Sequence, residues 1–285
     1  PERYEVAVFD PAVDLPELVR QADRFDLAFP ALHGPLGEDG TVQGLLELAG
    51  LPYVGSGVLA SAQCMDKAAT KAVYRTLGLP VVEDLVSQAG EAPQAAAARA
   101  AAALGLPLVV KPLNQGSSVG LTIAATVEAA AEALMEAWRL HPTALVERHV
   151  QGREFTVAVL GNRRPQALPP IEIVPAPGHV FFDYQAKYEP GQAQEICPAS
   201  LEDVQTARIS ELAVAAHRGL GCRGLSRTDF ILDGAGEFRL LETNTLPGLT
   251  ANSLLPKAAA AAGLSFAECL DELVNLALNC SRRFE

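Results

Sequence analysis

The 285-residue chain reads as an α/β protein that turns α+β in places. Two observations carry that prediction. From the N-terminus, short apolar runs alternate with helical patterns, as they do in parallel sheets covered by helices. Further on, Arg-Thr-Asp-Phe-Ile-Leu (227–232) and Glu-Phe-Arg-Leu-Leu-Glu-Thr-Asn (237–244) flank the turn Asp233-Gly234-Ala235-Gly236, which is a β-hairpin and therefore antiparallel sheet.

Residues 1–66 form the first unit. Tyr4–Phe9 reads as a strand, Leu15–Arg24 as a helix and Leu27–Leu32 as a second strand. His33-Gly34-Pro35-Leu36-Gly37-Glu38-Asp39-Gly40 follows, then a helix over Thr41–Ala49 and a short strand at Pro52–Val54. Ligands of parallel sheets sit at the carboxyl ends of strands, where His33 and Glu38 fall. A second unit, 67–147, begins near Met65-Asp66-Lys67 with a helix that Gly78-Leu79-Pro80 stops. Strands at Val81–Asp84 and Leu108–Lys111 enclose an alanine-rich helix, Pro93–Leu104, which reads as scaffold because alanine favours helix and carries no chemistry. A helix over Val127–His141 and a strand at Ala144–Glu147 close it. The third unit, 148–285, has a strand at Glu154–Leu160, a helix at Leu201–Leu220, the hairpin and two closing helices. Residues 176–200 carry Tyr184, Lys187 and Tyr188 with few secondary-structure signals, and loops of that length are often active-site lids.

Composition narrows the function. A net charge of −12 offers nothing to nucleic acid. The five cysteines are odd in number and lack Cys-x-x-Cys spacing, so unpaired thiols in a reducing cytoplasm are the simplest account. No apolar run is long enough for a bilayer, and no signal-peptide pattern opens the chain, which begins at Pro1.

The hairpin carries the strongest chemical signal. Pairing of its two arms is expected to set Asp229 opposite Glu242, with side chains roughly 5 Å apart. Asn244 shares Glu242's face, and Arg227 shares Asp229's. Two carboxylates and an amide oxygen at one spot suit a hard cation such as Mg²⁺; a solvated surface hairpin is the alternative. Lys111-Pro112-Leu113-Asn114-Gln115-Gly116-Ser117-Ser118-Val119-Gly120 is open to two readings, a backbone cradle for a polyphosphate with Lys111 as counter-charge, or a plain hairpin. Gly219-Leu220-Gly221-Cys222-Arg223-Gly224 fits Gly-x-Gly-x-x-Gly but follows a helix and leads into a strand, which makes it a helix stop.

Taken in order, Leu-His-Gly, Gly-Glu-Asp-Gly-Thr-Val-Gln-Gly, Tyr-Val-Gly-Ser-Gly, Met-Asp-Lys, Val-Lys-Pro with Gly-Ser-Ser-Val-Gly, Glu-Phe-Thr-Val, Ala-Lys-Tyr, Arg-Thr-Asp-Phe and Glu-Thr-Asn-Thr-Leu-Pro-Gly resemble the D-alanine–D-alanine ligases along essentially the whole chain. The resemblance implies the ATP-grasp fold: a truncated N-terminal parallel-sheet domain, a central α+β domain and a C-terminal domain with mixed or antiparallel sheet. It implies ATP as substrate, two Mg²⁺ (or Mn²⁺) ions, D-alanine, an acyl phosphate, a dipeptide for peptidoglycan synthesis, and a homodimer. By position it implies that Lys67, Lys111 and Ser117 meet the phosphates, Glu147 and Val150 hold adenine, and Glu154 holds the ribose. Asp229, Glu242 and Asn244 match the metal ligands and Arg227 the oxyanion stabiliser. Lys187 and Tyr188 belong to the lid, His33 to the first D-alanine subsite, Ser253 and Leu254 to the second, and Gly248 to the substrate-binding residues. Family members open with a strand, a Gly-Gly-x-Ser-x-Glu segment and a helix that have no counterpart here, so Pro1–Asp10 matches their second strand. The alternatives are a D-alanine–D-lactate or D-serine ligase of the same fold, and a nucleotide-binding, non-catalytic form.

Overall fold

The computed structural model describes residues 3–115, 119–175 and 193–281. Two antiparallel sheets organise them, each covered by helices whose apolar stripes it buries.

The N-terminal stretch contains α1 (Leu15–Arg20), a 3₁₀ turn (Ala22–Arg24), α2 (Thr41–Leu48) and α3 (Val58–Met65). A small core of Ala22, Val42, Leu46, Leu51 and Tyr53, with Leu18 packed against it, joins the first three. The parallel sheet expected here reduces to a single bridge, Ala28 with Tyr53, where Ala28 N–H donates to Pro52 O and Val54 N–H to Ala28 O. Tyr4–Phe9 is not a strand. Strand geometry needs a hydrogen-bonded neighbour, and none pairs with this segment among the described residues. Val6 and Val8 stand 76% and 88% exposed, while Arg3 and Tyr4 tie the segment to Asp271.

Asp66 leaves the helical region (φ −87°, ψ 104°), ends α3 and caps α4 (Lys67–Thr76) by accepting the Ala69 N–H. The buried residues of α4 are Lys67, Thr70, Lys71 and Tyr74, a single helical stripe that is mostly polar. Beyond α4, Val81 makes a parallel bridge to Leu240 rather than opening a strand. The strand expected at Val81–Asp84 begins three residues later, as β1 (Asp84–Gln88).

The first sheet has the order β1-β4-β2-β3, with β2 at Leu108–Pro112, β3 at Thr122–Ala124 and β4 at Thr143–Arg148. The helices α5 (Pro93–Leu104) and α6 (Val127–Leu140) cover it through a core rich in alanine, including Ala97, Ala100, Ala130 and Ala137. Small side chains let helices sit close to each other and to the sheet.

The second sheet has the order β10-β9-β5-β7-β8, with β6 paired to β5. Its strands are β5 (Gly152–Leu160), β6 (Gln166–Ala167), β7 (Ile171–Pro175), β8 (Ala193–Ile196), β9 (Leu225–Asp233) and β10 (Phe238–Asn244). Period-two alternation divides the sheet into two faces. Phe155, Val157, Phe230, Leu232, Phe238 and Leu240 pack with Tyr74 of α4 and with α7 (Asp203–Gly219), which contributes Ile209 and Leu212. On the opposite face Ala158, Leu160 and Leu225 pack with α8 (Leu254–Ala261) and α9 (Phe266–Ser281). The helix stop read at Gly219–Gly224 is present: Gly221 lies at φ +69°, its N–H donates to Arg218 O, and Cys222 N–H reaches His217 O.

Candidate active site

The helix-covered end of that second face stops short of Glu154, Thr156, Arg227 and Asp229, all from alternate positions of β5 and β9. Glu242 and Asn244 of β10 join them, with Glu242 opposite Asp229 and Asn244 opposite Arg227. The pairing expected from the sequence is therefore reached, but through a β-bulge. Nearer the turn Phe238 pairs with Leu232 and Leu240 with Phe230. Continued regularly, that ladder would set Glu242 opposite Thr228, on the packed face. The register shifts between Leu240 and Glu242, so one extra residue, Leu241, sends Leu240 into the core and Glu242 to the opposite face. On the packed side Thr243 bonds Thr228 Oγ1 at 2.7 Å and also meets the Tyr74 hydroxyl, which pins the shifted register.

Asp229 and Glu242 each face a cation. Arg227 donates through Nε and Nη2 to the two oxygens of Asp229, 3.0 Å each, a bidentate pair between strand neighbours on one face. Burial works against the guanidinium's charge, but Asp229, with Glu242 and Glu38, more than offsets this and raises its pKa. Thr156 donates its hydroxyl to Asp229 Oδ1 at 2.6 Å. Lys67 Nζ lies 3.3 Å from Glu242 Oε2 and donates to Gln115 O at 2.8 Å, so the start of α4 touches both the hairpin and the 111–120 loop. Asn244 turns its Oδ1 to the Leu246 N–H, 2.9 Å.

A second charged group adjoins the first sheet. Lys111 Nζ sits 2.7 Å from Glu147 Oε2, and Lys71 meets Glu147 Oε1. Burial pushes Glu147 toward protonation, yet Lys111 and Lys71 prevail and hold its carboxyl below the ordinary range. Lys111 is raised, since Glu147 and Glu242 outweigh the effect of its burial. Val150 follows the end of β4, half-buried, and Glu154 is half-buried on β5.

His33 stands exposed beside Glu38, whose carboxylate accepts the Gly34 N–H. Burial raises the Glu38 pKa, against the pull of Gly34, His33 and Arg227. The first unit thus reaches the hairpin through Glu38. Ser253 precedes α8, with its Oγ accepting from Thr250 N–H at 3.1 Å, and Leu254 opens that helix. A Cβ at Gly248 would lie 2.8 Å from Ser253 Oγ, so any larger residue there has to displace the serine hydroxyl. Ser117 and the pair Lys187 and Tyr188 lie outside the described residues. Lys71, Thr156 and Asp84 were not foreseen. For two of them the signal is spacing: Lys71 is one helical turn after Lys67, and Thr156 is two strand positions after Glu154. A surface hollow of about 380 Å³ at Leu168, Pro169, Pro170 and Pro198 has no ionisable side chain among the described residues that line it.

Comparison with known proteins decides what this arrangement belongs to. A family model described as "D-ala D-ala ligase C-terminus" matches residues 48–275, and one described as "D-ala D-ala ligase N-terminus" matches 11–56. The chain belongs to the D-alanine–D-alanine ligase family. It is 50% identical over 277 residues to the D-alanine–D-alanine ligase of Syntrophobacter fumaroxidans, covering 97% of this chain and 88% of that one. To the ligase of Pelotomaculum thermopropionicum it is 47% identical over 287 residues, covering 99% and 89%. Among solved structures, the D-alanine–D-alanine ligase of Bacillus anthracis complexed with ATP superposes with a TM-score of 0.83 at 29% identity, covering 100% of this chain and 89% of that one. A D-Ala:D-Ser ligase of Enterococcus faecalis superposes at 0.80 with 37% identity, covering 88% and 73%. The ATP-grasp architecture expected from the sequence is thus the family's own. Identities near 50% to D-alanine–D-alanine ligases favour the dipeptide-forming reaction over the D-lactate, D-serine and non-catalytic alternatives.

Proposed function

We propose that this ligase joins two D-alanines at the acidic hairpin, with ATP held between the two sheets. The observation that carries the reading is the pairing of Glu242 with Asp229, flanked by Asn244 and Arg227 and faced by Lys67. The donors fit the expected ions: two carboxylates and an amide oxygen suit hard, oxygen-seeking cations, and among the described residues no group of three or more His, Cys, Asp or Glu competes as a metal site. Asp229, Glu242 and Asn244 would hold two Mg²⁺ or Mn²⁺ ions. When bound, the ions neutralise phosphoryl oxygens and align the transfer.

The remaining roles fall to side chains. Lys67 and Lys111, with Ser117, hold the phosphates, which need positioning and dispersed charge more than covalent help. Glu147 and Val150 form the adenine edge, and Glu154 accepts from the ribose hydroxyls. His33 lies at the first D-alanine, while Gly248, Ser253 and Leu254 shape the second subsite. ATP converts the first carboxylate to an acyl phosphate, and the second amine attacks it. Arg227, held by Asp229, is aimed where the tetrahedral oxygen gains charge, so its stabilisation grows in the transition state. Lys187 and Tyr188 close over the acyl phosphate and exclude water. We divide the chain at 1–66, 67–147 and 148–285, and assign it to the cytoplasm as a homodimer. No helix of the described residues is long and apolar enough to cross a membrane.

Incubation with ATP, Mg²⁺ and D-alanine should yield D-alanyl-D-alanine, ADP and phosphate in equal amounts. Phosphate release without dipeptide would contradict the reading.

A further inference from the structure

Lys71 has no role in the reaction as proposed above, yet its side chain is fully buried. Its ammonium donates to Glu147 Oε1 and to Val82 O, the latter at 2.9 Å, and lies 3.4 Å from Asp84 Oδ1 as an ion pair. Glu147 divides its two oxygens between Lys71 and Lys111. Asp84, opposite Glu147 in the β1–β4 register, also pairs with Arg75. The buried stripe of α4 thus sends Lys67 to Glu242 of the second sheet and Lys71 to Glu147 of the first.

This sharing matters because a cation already engaged by a buried carboxylate has less field to offer a phosphate. If Lys111 were Glu147's only counter-ion, the two would form a closed neutral pair, and drawing Lys111 toward a nucleotide would strip a buried anion of its partner. With Lys71 on the other oxygen, Glu147 keeps a counter-ion whichever way Lys111 moves. We propose that Lys71 is a positioning residue, the dedicated counter-ion of Glu147, which leaves the Lys111 ammonium available to the nucleotide's phosphates. This rests on the reading that Lys111 and Glu147 line the nucleotide site. A purely structural ion pair is the competing account, since buried pairs can be replaced by apolar groups without loss of function.

The test is a double-mutant cycle on the full chain, with a non-hydrolysable ATP analogue plus Mg²⁺ titrated calorimetrically and the melting temperature recorded for each variant. Lys71→Met should weaken the analogue about 10-fold or more in the Glu147 background, yet by no more than about 2- to 3-fold in the Glu147→Gln background, where the carboxylate that Lys71 and Lys111 share is gone. Lys71→Gln keeps hydrogen-bonding capacity without charge and should match Lys71→Met, and it takes that variant's place in the cycle if the methionine protein does not fold. A lower melting temperature with unchanged affinity, or an equal penalty in both backgrounds, would overturn the inference. Affinity unmoved by Lys111→Met would overturn the underlying site reading as well. Affinity lowered by Lys111→Met but not by either Lys71 variant would overturn the inference alone.

Discussion

Replacing Thr156 by valine removes one oxygen and keeps the shape. Thr156 is 1% exposed on β5, opposite Asp229, and its hydroxyl donates to Asp229 Oδ1 at 2.6 Å. Hydrogen bonds to charged groups contribute about 1.5–3 kcal/mol. Valine forfeits that, although its extra methyl recovers part of the difference through apolar burial. The net stability loss should be about 1–2 kcal/mol, a drop of a few degrees in Tm. The larger effect should fall on the metal. Without Thr156, the two bonds from Arg227 are what remain on Asp229 among the described residues, so its carboxylate should turn toward the guanidinium and away from Glu242. A loss of about 1.4 kcal/mol in metal affinity is a tenfold change. Mg²⁺ titrations of phosphate release at saturating ATP and D-alanine should therefore show a midpoint raised about tenfold. An unchanged Mg²⁺ midpoint in a folded Thr156→Val protein would refute the idea that this hydroxyl orients the metal ligand.

Other substitutions separate the remaining roles. Glu242→Gln should abolish dipeptide synthesis while circular dichroism and Tm stay near the parent values, because Glu242 is partly exposed and its backbone remains in the ladder. Arg227→Met should lower kcat by about 10²–10³ if its main work is on the tetrahedral oxygen, and an effect confined to the KM for ATP would contradict that role. Gly248→Ala puts a methyl 2.8 Å from Ser253 Oγ, so the KM for the second D-alanine should rise with nucleotide affinity unchanged, read by varying D-alanine at fixed ATP. Burial holds the His217 pKa down at about 4. Below the unfolded value of about 6.5 the unfolded chain binds the extra proton, so this histidine's contribution is intact above that pH and is lost as pH falls toward 4. Urea midpoints from pH 7 to pH 5 should therefore fall less in His217→Gln than in the parent protein, and equal slopes would exclude this histidine as the cause.

What could be read from the sequence followed the strength of local patterns. The helix at Pro93–Leu104 is legible to the residue because alanine propensity agrees with Pro93 in its first turn and Gly105 just past its end, and the hairpin is clear from its turn and flanking alternation. The strands at Tyr4–Phe9 and Leu27–Leu32 were not realised, since apolar alternation records a tendency that only a neighbouring strand turns into sheet. Helix α3 went unread because its sequence, Val58–Met65, has little amphipathic contrast, and its end depends on the capping geometry of Asp66. The bulge at Leu241 has no local signature at all. The turn sets one register, the core demands another for Thr243, and the extra residue reconciles them. Lys71 escaped notice for a related reason: a buried helical stripe of Lys, Thr, Lys and Tyr looks like a solvated face until its carboxylate partners on another strand are known.

The measurement that bears most directly on the acidic hairpin as the centre of phosphoryl transfer is electron paramagnetic resonance of Mn²⁺ titrated into the protein with a non-hydrolysable ATP analogue. Two tightly bound ions per chain are expected for the parent protein, and loss of both in the combined Asp229→Asn, Glu242→Gln variant at analogue concentrations that still saturate it. Undiminished tight Mn²⁺ binding in that variant would place the metals, and with them the chemistry, somewhere else.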